Sequence, residues 1–579
     1  MRDAAYFDAV LAEVEGLGLL RSPRRIVDGD KKNAAIVEGE ACIAGHGATL
    51  RLVLPPSFPL TLPRIFLRPW DALGIIPHVD MRGVVCFADA EGLVLDRAAP
   101  VEIIREAIER AVSTLSRGAR GENTGDFADE FEAYWAQLSD LVPARSFLDA
   151  GDTVVEVTVG IKEKQIWIAR HQDDVAAYYN GADIGDALTL QKALYLPLIP
   201  GACIVPPHPQ RPFWSPEDAR RILLPALSDA NRARLRKLTK RRKRLKDYVV
   251  VRLPRPSGGA TLFGIRYDDL GNTHPLADGG TARRLVPLHL QRLDRRYLIR
   301  RGGGDATLGA KRVLIVGCGA VGGHLAFELA RAGVLHLTIM DPDALSADNT
   351  FRHALGRRYW GKCKVDGLKE EIEAELPYVR VRPVAETIEH ALACGEINLS
   401  DYDLIVVAIG NPTVELEVNE RIHALPHAPA IVFTWLEPLG IGGHALLAAN
   451  AADGGCFACL YTSPEGDIDY STNRAAFAAP GQEFGQKLSG CASLHTPYGS
   501  VDAVRTAALA ARLAVDALTG RESGNPLLSW KGDARAFEEE GFAVSRRYRF
   551  HEEELYRHRY LHRNAGCRVC GDRATRVRS

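Results

Sequence analysis

The pattern of apolar and polar positions divides the chain into three regions. The first, residues 1–148, opens with a helical spacing of apolar residues and continues with two strand-like runs, Ala48–Leu54 and Arg64–Leu67, separated by a proline-rich stretch. An amphipathic helix is predicted over Ala99–Leu115. This order of elements predicts one small α+β domain.

The second region, residues 149–305, is irregular and strand-rich. Runs of β-branched residues predict strands at Asp152–Gly160 and Asp247–Leu253. The basic run Arg232–Lys246 has two interpretations: a solvated helix face, which is the simpler one, or a surface for an acidic protein or a phosphate backbone. We interpret the region as a linker domain.

The third region, residues 306–579, alternates apolar runs with helical patterns. The runs are Arg312–Val316, Leu335–Met340, Asp403–Ala408 and Ala430–Thr434. Such alternation predicts an α/β domain built on a largely parallel sheet. The predicted fold class is therefore multidomain, combining α+β and α/β parts.

Composition and charge exclude several classes of protein. The chain has 579 residues, of which 46% are hydrophobic, and a formal net charge of −1. It can therefore build several cores, and it lacks the basic excess of a bulk nucleic-acid binder. No apolar run reaches the ~18–20 residues that span a bilayer, so no membrane partner is predicted. The acidic, amphipathic start is unlike a signal peptide, and a cytoplasmic protein with reduced cysteines is expected.

A glycine-rich turn follows the first predicted strand of the third region. Gly317, Gly319 and Gly322 form a G-x-G-x-x-G pattern between that strand and a helix. Glycines permit a tight turn and the close approach of a phosphate, to which the helix N-terminus offers oriented N–H groups. Asp341 ends the next strand, where a carboxylate can bind ribose hydroxyls. The pattern predicts nucleotide binding; a turn that serves only packing is the alternative.

Three residues further along favour one class of nucleotide-binding protein. Asn349, Arg352 and Lys364 follow Asp341 in the order of a D-x-D-x-V-x-x-S-N-L-x-R-Q signature with a later G-x-x-K-V. The region resembles the ubiquitin-activating, ThiF and MoeB adenylating family. The resemblance implies that ATP activates a carboxylate, with Arg352 and Lys364 neutralising phosphate charge and Asn349 orienting the phosphates. Singly, Asn349 or Arg352 also suits a cap or an ion pair. An NAD-dependent oxidoreductase would leave all three without a role.

One position departs from the family pattern. The family has an Asp-Asn pair after the fourth strand, and its Asp helps to hold Mg²⁺, whereas this chain has Gly410 and Asn411 there. The Mg²⁺ is expected to be held through water and another acid, such as Asp343 or Glu415. The alternative is a weakened activity.

Two C-x-x-C pairs stand about a hundred residues apart. They offer four thiolates, from Cys456, Cys459, Cys567 and Cys570. Four thiolates complete a tetrahedral Zn²⁺ site, and bacterial members of the adenylating family carry the same arrangement. Structural zinc is predicted, with redox-active cysteines as the alternative.

Cys491 lies in a loop containing Gly, Ser and Pro, ahead of a predicted helix. Activating enzymes keep their thioester cysteine on a mobile loop downstream of the adenylation core. The resemblance therefore implies that Cys491 carries an acyl group, and a cysteine near a helix N-terminus can have a lowered pKa. A small buried apolar residue is the alternative.

The N-terminal region resembles ubiquitin-conjugating enzymes. Phe58–Leu67 resembles their Y-P-x-x-P-P segment, and Pro77–Cys86 resembles the H-P-N element that ends in the catalytic cysteine. The resemblance implies that Cys86 is a nucleophile. Because Val79-Asp80 stands where the family has its asparagine, the oxyanion is expected to be stabilised by backbone N–H groups or another side chain. A degenerate scaffold domain with an inert, buried Cys86 is the alternative.

Taken together, the N-terminal and C-terminal regions resemble the fused conjugating–activating enzymes of bacterial CBASS antiphage operons. They imply an enzyme that adenylates a protein C-terminus, carries it as a thioester on Cys491 and then Cys86, and ligates it to a protein amine. The implied donor is a cGAS-like nucleotidyltransferase or a ubiquitin-like protein; the implied cofactors are ATP, Mg²⁺ and Zn²⁺; a homodimer is expected. A sulfur-carrier-protein adenylyltransferase and a catalytically degenerate scaffold are the rival functions.

Overall fold

The computed structural model describes residues 4–27, 35–89, 91–149, 151–162, 165–179, 189–208, 211–240, 245–463, 465–487 and 494–571. The chain divides into two units, one formed by Met1–Asp174 with Gly185–Asp294 and the other by Val175–Ile184 with Arg295–Ser579. Among the described residues, no helix combines the length and the apolar character needed to cross a bilayer.

The helices are short to medium in length. They are α1 Ala4–Gly16, α2 Pro100–Ala119, α3 Phe127–Trp135, α4 Gln172–Tyr178, α5 Pro216–Leu223, α6 Asp229–Thr239, α7 Arg295–Arg301, α8 Ala320–Ala332, α9 Lys364–Glu375, α10 Ile388–Ala393, α11 Pro412–His423, α12 Ser500–Leu518, α13 Arg535–Glu539 and α14 Glu552–Arg557.

Most of the strands of the first unit are longer than those of the second. They are β1 Arg21–Arg25, β2 Ala35–Ile43, β3 His46–Leu54, β4 Arg64–Arg68, β5 Val142–Ser146, β6 Val155–Lys162, β7 Gln165–Ala169, β8 Thr189–Pro197, β9 Lys246–Pro254, β10 Ala260–Leu270 and β11 Ala282–Arg292. Those of the second unit are β12 Arg312–Val316, β13 His336–Met340, β14 Arg380–Val384, β15 Leu404–Val407, β16 Ala430–Leu436, β17 Gly442–Ala448, β18 Gln486–Lys487, β19 Leu494–His495 and β20 Leu527–Lys531.

A four-stranded antiparallel sheet, ordered β1-β2-β3-β4, forms the first part of the first unit. Helix α2 packs against it because its apolar residues recur every three or four positions, as at Ile104, Ile108, Ala111 and Leu115, all 2% exposed or less. Pro100 fits the first turn of α2, where a backbone N–H has no helical partner. The predicted helix therefore exists and continues to Ala119.

A closed barrel of seven strands, ordered β10-β11-β5-β7-β6-β8-β9, forms the second part of this unit. Its interior holds residues such as Val159, Tyr195 and Val250. The outer side of β9 and β10 is also apolar, and it belongs to a second core cluster with residues of α3, α5 and α6. The barrel accounts for the strand-rich pattern of the middle region.

A seven-stranded sheet, ordered β14-β13-β12-β15-β16-β17-β20, forms the centre of the second unit. The first five strands are parallel, β17 runs opposite to them, and β20, antiparallel to β17, has the direction of the first five, so the predicted largely parallel sheet is confirmed. Apolar clusters cover both faces of the sheet. The chain order reverses between β12 and β15, which is where open α/β sheets bind ligands beyond the carboxyl ends of their strands.

Candidate active sites and metal centre

The glycine turn lies directly after β12, at this reversal point. Gly317 has φ of +89°, and a Cβ there would lie 2.6 Å from the Ala408 carbonyl oxygen. A Cβ at Gly322 would lie 1.9 Å from the Gly317 oxygen, whereas a Cβ at Gly319 would meet nothing within 4 Å. No side chain caps α8, whose N-cap is Gly319. The turn thus leaves open space beside an uncapped helix N-terminus, which suits a phosphate.

Asp341, at the end of β13, fastens this turn to the rest of the site. Its Oδ2 accepts a 2.8 Å hydrogen bond from the Cys318 N–H, and its Oδ1 accepts one of 2.9 Å from the Asp343 N–H. The residue is only 7% exposed. The carboxylate therefore holds the glycine turn in place, a role beyond the ribose contact predicted from sequence.

Lys364, the first residue of α9, brings a buried cation to the same place. Its Nζ lies 3.2 Å from Asp341 Oδ1 and 2.7 Å from Asp343 Oδ2. Burial acts to lower the pKa of Lys364, but the hydrogen bond to Asp343 and the charge of Asp341 outweigh it, so the net pKa is raised. Lys364 is therefore an ammonium ion beside the glycine turn.

The Asn349 and Arg352 side chains have local partners. Asn349 Oδ1 accepts hydrogen bonds from the Ser346 N–H and hydroxyl, at 3.3 and 3.0 Å, so this side chain acts as a cap. The Arg352 guanidinium lies over the Tyr498 ring, 5.1 Å from its centroid. Arg352 is half-buried.

His353 joins the segment that carries Arg352 to the glycine turn, and sequence reasoning missed it. Its Nε2 donates to the Cys318 carbonyl oxygen at 2.8 Å, and its Nδ1 accepts from the Leu355 N–H at 3.0 Å. Both ring nitrogens are thus used by a neutral imidazole, and burial lowers its pKa further. The sequence did carry a signal for it, because position 353 is a histidine where the family signature has glutamine.

A carboxylate is present at the turn after β15, although the family aspartate is replaced by Gly410. Glu415, on the first turns of α11, accepts a 3.0 Å hydrogen bond from the Gly410 N–H through Oε1. Glu415 is 2% exposed, and burial raises its pKa to about 7. Of the two acids expected to replace the aspartate, Glu415 lies at this turn, and Asp343 pairs with Lys364.

The four cysteines of the two C-x-x-C pairs lie together. All four sulfur atoms are within 4.8 Å of one another, with Cys456 and Cys567 at 3.7 Å and Cys459 and Cys570 at 3.3 Å. A tetrahedral site with Zn–S bonds of about 2.3 Å has sulfur separations of about 3.8 Å. Asn419 Nδ2 lies 3.6 Å from Cys456 Sγ. The donor set and spacing form a candidate four-thiolate metal centre.

Of the two predicted acyl carriers, the structure describes only Cys86. Cys491 lies outside the described residues. Cys86 is exposed, on a short hairpin in which Val79 pairs with Val85 and the Cys86 N–H donates to the His78 oxygen at 2.8 Å. The interpretation of Cys86 as a buried residue is therefore wrong.

His78, opposite Cys86 in the hairpin, is held by two carboxylates from the α3 segment. Its Nε2 lies 2.9 Å from Asp126 Oδ2, and its Nδ1 lies 2.8 Å from Glu130 Oε1. The hydrogen bond to Glu130 is the largest cause that raises the pKa of His78, against an opposing effect of burial and with help from Asp126, to about 9. At neutral pH this side chain is therefore an imidazolium.

The protein holds the Cys86 sulfur in its thiol form. Although the residue is exposed, part of the water around the sulfur is lost, which raises its pKa, and the charges of Glu130 and Asp80 raise it further, to about 11. Asp80 Oδ1 accepts from the Arg82 and Val84 N–H groups, both at 2.8 Å, and so closes the hairpin turn. Both of these contacts use Asp80 Oδ1 as an acceptor, so the side chain closes the turn rather than offering a donor to an oxyanion.

Comparison with protein families gives two matches. Residues 21–142 match the prokaryotic E2 family B, and residues 294–526 match the ThiF family. The chain is a fused E2-like and E1-like protein. The fused protein therefore joins a conjugating-type domain to an activating-type domain, and it is an ATP-dependent adenylating and ligating enzyme.

The fused protein has relatives that match most of its length. It is 27% identical over 497 residues to the ATP-dependent ubiquitin transferase-like protein Cap2 of Pseudomonas aeruginosa, a match that covers 82% of this chain and 86% of the relative. It is 24% identical over 509 residues to the protein of the same name from Vibrio cholerae, covering 80% and 84%. A crystal structure of Escherichia coli MccB with ATP is 17% identical, with a TM-score of 0.32, over 48% of this chain and 70% of that one.

Proposed function

We propose that the protein adenylates the C-terminal carboxylate of a protein, carries the acyl group on Cys491 and then on Cys86, and ligates it to a protein amine. The observation that carries the proposal is the exposed Cys86 on a conjugating-type hairpin, in a chain that also has the glycine turn with Lys364 beside it. A protein that only adenylates has no use for the hairpin.

In the first step, a carboxylate oxygen attacks the α-phosphorus of ATP and pyrophosphate leaves, giving an acyl-adenylate. The uncapped N-terminus of α8 and the Lys364 ammonium supply positive potential for the phosphates. Arg352 is available for the same purpose once it leaves the Tyr498 ring, and Asn349 for orienting the phosphates once it releases Ser346. These residues bind and position, and the protein contributes no covalent bond to this step.

Mg²⁺ would supply charge neutralisation on the phosphates when bound. The carboxylates that suit a hard cation are Glu415 and Asp343. Glu415 supports this assignment because its carboxylate lies at the turn where the family places an aspartate. Asp343 remains on the surface side of Lys364, with its side chain 68% exposed.

In the second and third steps, the acyl group moves between sulfur atoms. The Cys491 thiolate attacks the acyl carbon and AMP leaves. The Cys86 thiol then gives up its proton as its sulfur attacks the new thioester, and the departing Cys491 sulfur takes up a proton. Each activated form makes the next transfer easier, because a free carboxylate is a poor acyl donor. In the last step an amine attacks the Cys86 thioester, the thiolate leaves and the amine loses a proton.

The acyl donor is the C-terminus of a protein. The Cap2 name of the relatives and the resemblance to CBASS enzymes favour a cGAS-like nucleotidyltransferase over a ubiquitin-like protein, and a role in antiviral defence. The four-cysteine cluster holds structural Zn²⁺, and two copies of the chain form the active dimer, as in related adenylating domains.

The experiment uses the full chain, a candidate donor protein and radiolabelled pyrophosphate. Donor-dependent exchange of pyrophosphate into ATP is expected for the wild type and for both cysteine variants, Cys86→Ser and Cys491→Ser. A thiol-sensitive adduct with the donor is expected for the wild type. Cys86→Ser is expected to stop at an adduct on Cys491, and Cys491→Ser at the adenylate. Cys42→Ser is the control, since Cys42 is also exposed and lies in the same unit as Cys86.

Two results would favour the rivals. Full product formation by Cys86→Ser would favour a sulfur-carrier-type adenylyltransferase, which has no conjugating step. Absence of both exchange and adduct with every donor tested would favour a non-catalytic scaffold.

A further inference from the structure

Helix α3 has a polar face and an apolar face. Asp126, directly before the helix, and Glu130 and Tyr134 follow one another at intervals of four, so they share one face. Phe131 and Trp135 lie on another face and are 0% and 2% exposed. The helix has only nine residues, too few to be stable alone, so its position is set by what packs against it.

The apolar face of α3 lies against the barrel. The Phe263 ring, on β10, lies 4.6 Å from the ring of Phe131 and 4.7 Å from that of Trp135, between centroids. Trp135 Nε1 donates to the Leu288 oxygen of β11 at 2.9 Å, and the Thr261 hydroxyl donates to the Ala128 oxygen at 3.2 Å. Two barrel strands therefore fix both the depth and the rotation of the helix.

The polar face of α3 lies against the Cys86 hairpin. Besides the two side-chain contacts of His78, Glu130 Oε2 accepts from the His78 N–H at 2.9 Å and from the Tyr134 hydroxyl at 3.3 Å. The Val79 N–H donates to the same hydroxyl. His78 has φ of +65°, which is unusual for a residue with a Cβ, so outside contacts are needed to hold it there. These contacts come from α3.

We propose that the barrel is a working part of the conjugating site: by packing on one face of α3, it sets the position of Glu130 and Tyr134 on the other face, and through them that of the hairpin bearing Cys86. Phe263 and Trp135 are then positioning residues, although neither lies on the hairpin. The inference rests on the proposed function, in which Cys86 carries the acyl group. It gives the middle region a role in acyl transfer that its sequence did not suggest.

The test uses the full chain with Phe263→Ala, Phe263→Leu and Trp135→Phe. Val250→Ala is the control, because Val250 lies inside the barrel, in a core cluster that excludes Phe131 and Trp135. The first measurement is the titration of the His78 ring by nuclear magnetic resonance, assigned with His78→Gln. Phe263→Ala is expected to lower the His78 pKa by about 1 unit, since the helix carboxylates move away. Val250→Ala is expected to leave it unchanged.

The second measurement is single-turnover discharge of the Cys86 thioester to free lysine. Phe263→Ala is expected to slow discharge about tenfold, because small misplacements of reacting groups are costly. Phe263→Leu, which refills most of the space, is expected to restore most of the rate. Trp135→Phe keeps an aromatic ring but loses the hydrogen bond to the Leu288 oxygen, and its discharge rate is expected to fall between those of the two Phe263 variants. This variant also keeps the test decisive if Phe263→Ala does not fold.

The outcomes are distinguishable from failure of the proposed function. If the wild type forms no Cys86 thioester, the proposed function is wrong, and the His78 titration still decides whether the barrel controls the hairpin. An unchanged His78 pKa and discharge rate in the folded Phe263 and Trp135 variants would overturn the inference. Equal changes in Val250→Ala would overturn it as well, because the effect would then be general destabilisation.

Discussion

Glu415 accepts a hydrogen bond from the Gly410 N–H at 3.0 Å, so a carboxylate from α11 reaches the turn where the related enzymes carry an aspartate. Its proton equilibrium differs from that of an exposed carboxylate, because Glu415 is 2% exposed and burial raises its pKa to about 7, from 4.5.

The Glu415 carboxyl predicts a stability change with pH in metal-free buffer. Because its pKa is higher in the folded protein, its contribution is fully present below pH 4.5 and is lost as the pH rises through about 7. Glu415→Gln is therefore expected to unfold like the wild type at pH 4 and to be more stable at pH 8, by on the order of 3 kcal/mol. Thermal unfolding at both pH values measures this, with the exposed Glu417→Gln as control. Equal stability of variant and wild type at pH 8 would contradict the prediction.

His78 predicts a second pH effect, at higher pH. Its folded pKa of about 9 exceeds the ordinary histidine value of 6.5, so its stabilisation is complete below pH 6.5 and is lost as the pH rises through 9. The side chains of His78 and its partners are partly exposed, and screening limits the effect to about 1–2 kcal/mol. Denaturant unfolding of the wild type and of Asp126→Asn between pH 6.5 and 9.5 tests this effect, and the stability of the variant is expected to fall less over that range. A variant whose stability falls as steeply as that of the wild type would argue against the ion pair.

Lys364 is expected to be needed for both stability and adenylation. Lys364→Met leaves the buried Asp341 without its cation, and removing one partner of a buried pair costs about 3 kcal/mol. Pyrophosphate exchange is expected to fall at least about a hundredfold. Lys362→Met is the matched control, since Lys362 pairs with Glu370 on the surface and is expected to change stability by less than about 1 kcal/mol. Similar losses in both variants would show that Lys364 has no special role.

Alanine substitutions at two glycines of the nucleotide turn are expected to have opposite effects on stability and ATP binding. Gly319→Ala is expected to keep the stability of the wild type, because its Cβ meets nothing within 4 Å, and to weaken ATP binding about tenfold by filling space beside the helix N-terminus. Gly322→Ala places its Cβ 1.9 Å from the Gly317 oxygen, and is expected to lose about 2–3 kcal/mol of stability. Calorimetry with ATP and thermal unfolding measure both. ATP binding by Gly319→Ala as tight as by the wild type would place the nucleotide elsewhere.

The four-cysteine cluster predicts a bound metal that stabilises the second unit. Purified protein is expected to contain one zinc per chain, and a strong chelator or Cys567→Ser is expected to lower the midpoint of thermal unfolding by roughly 5–10 °C. Cys394→Ser is the control, because Cys394 is exposed and outside the cluster. Purified protein that contains no zinc, and whose thermal unfolding is unchanged by a chelator, would argue against the metal centre.

The sequence predicts the second unit best. The strand at Arg312–Val316 has the predicted bounds, and Asp403–Ala408 contains the observed Leu404–Val407, because buried parallel strands appear as continuous apolar runs. The glycine turn is predicted from spacing alone. His353 is not, because its role depends on the folded position of the Cys318 oxygen, 35 residues away in the chain.

The first unit is harder to predict because its key contacts join distant segments. The strands at 152–160 and 247–253 are recognisable from β-branched residues, but closure of the barrel depends on pairs such as β11 with β5. Helix α3 has apolar residues on one face and carboxylates on another, each with a partner far away in the chain. His78 belongs to a recognisable motif, yet Asp126 and Glu130 follow about fifty residues later.

The four-cysteine cluster also has a topological consequence. Cys459 and Cys567 lie in the same cluster, so the segment 460–566 between them begins and ends at one place. A metal held by the four thiolates would therefore close a loop of roughly a hundred residues, which restricts the unfolded chain and so favours the folded one.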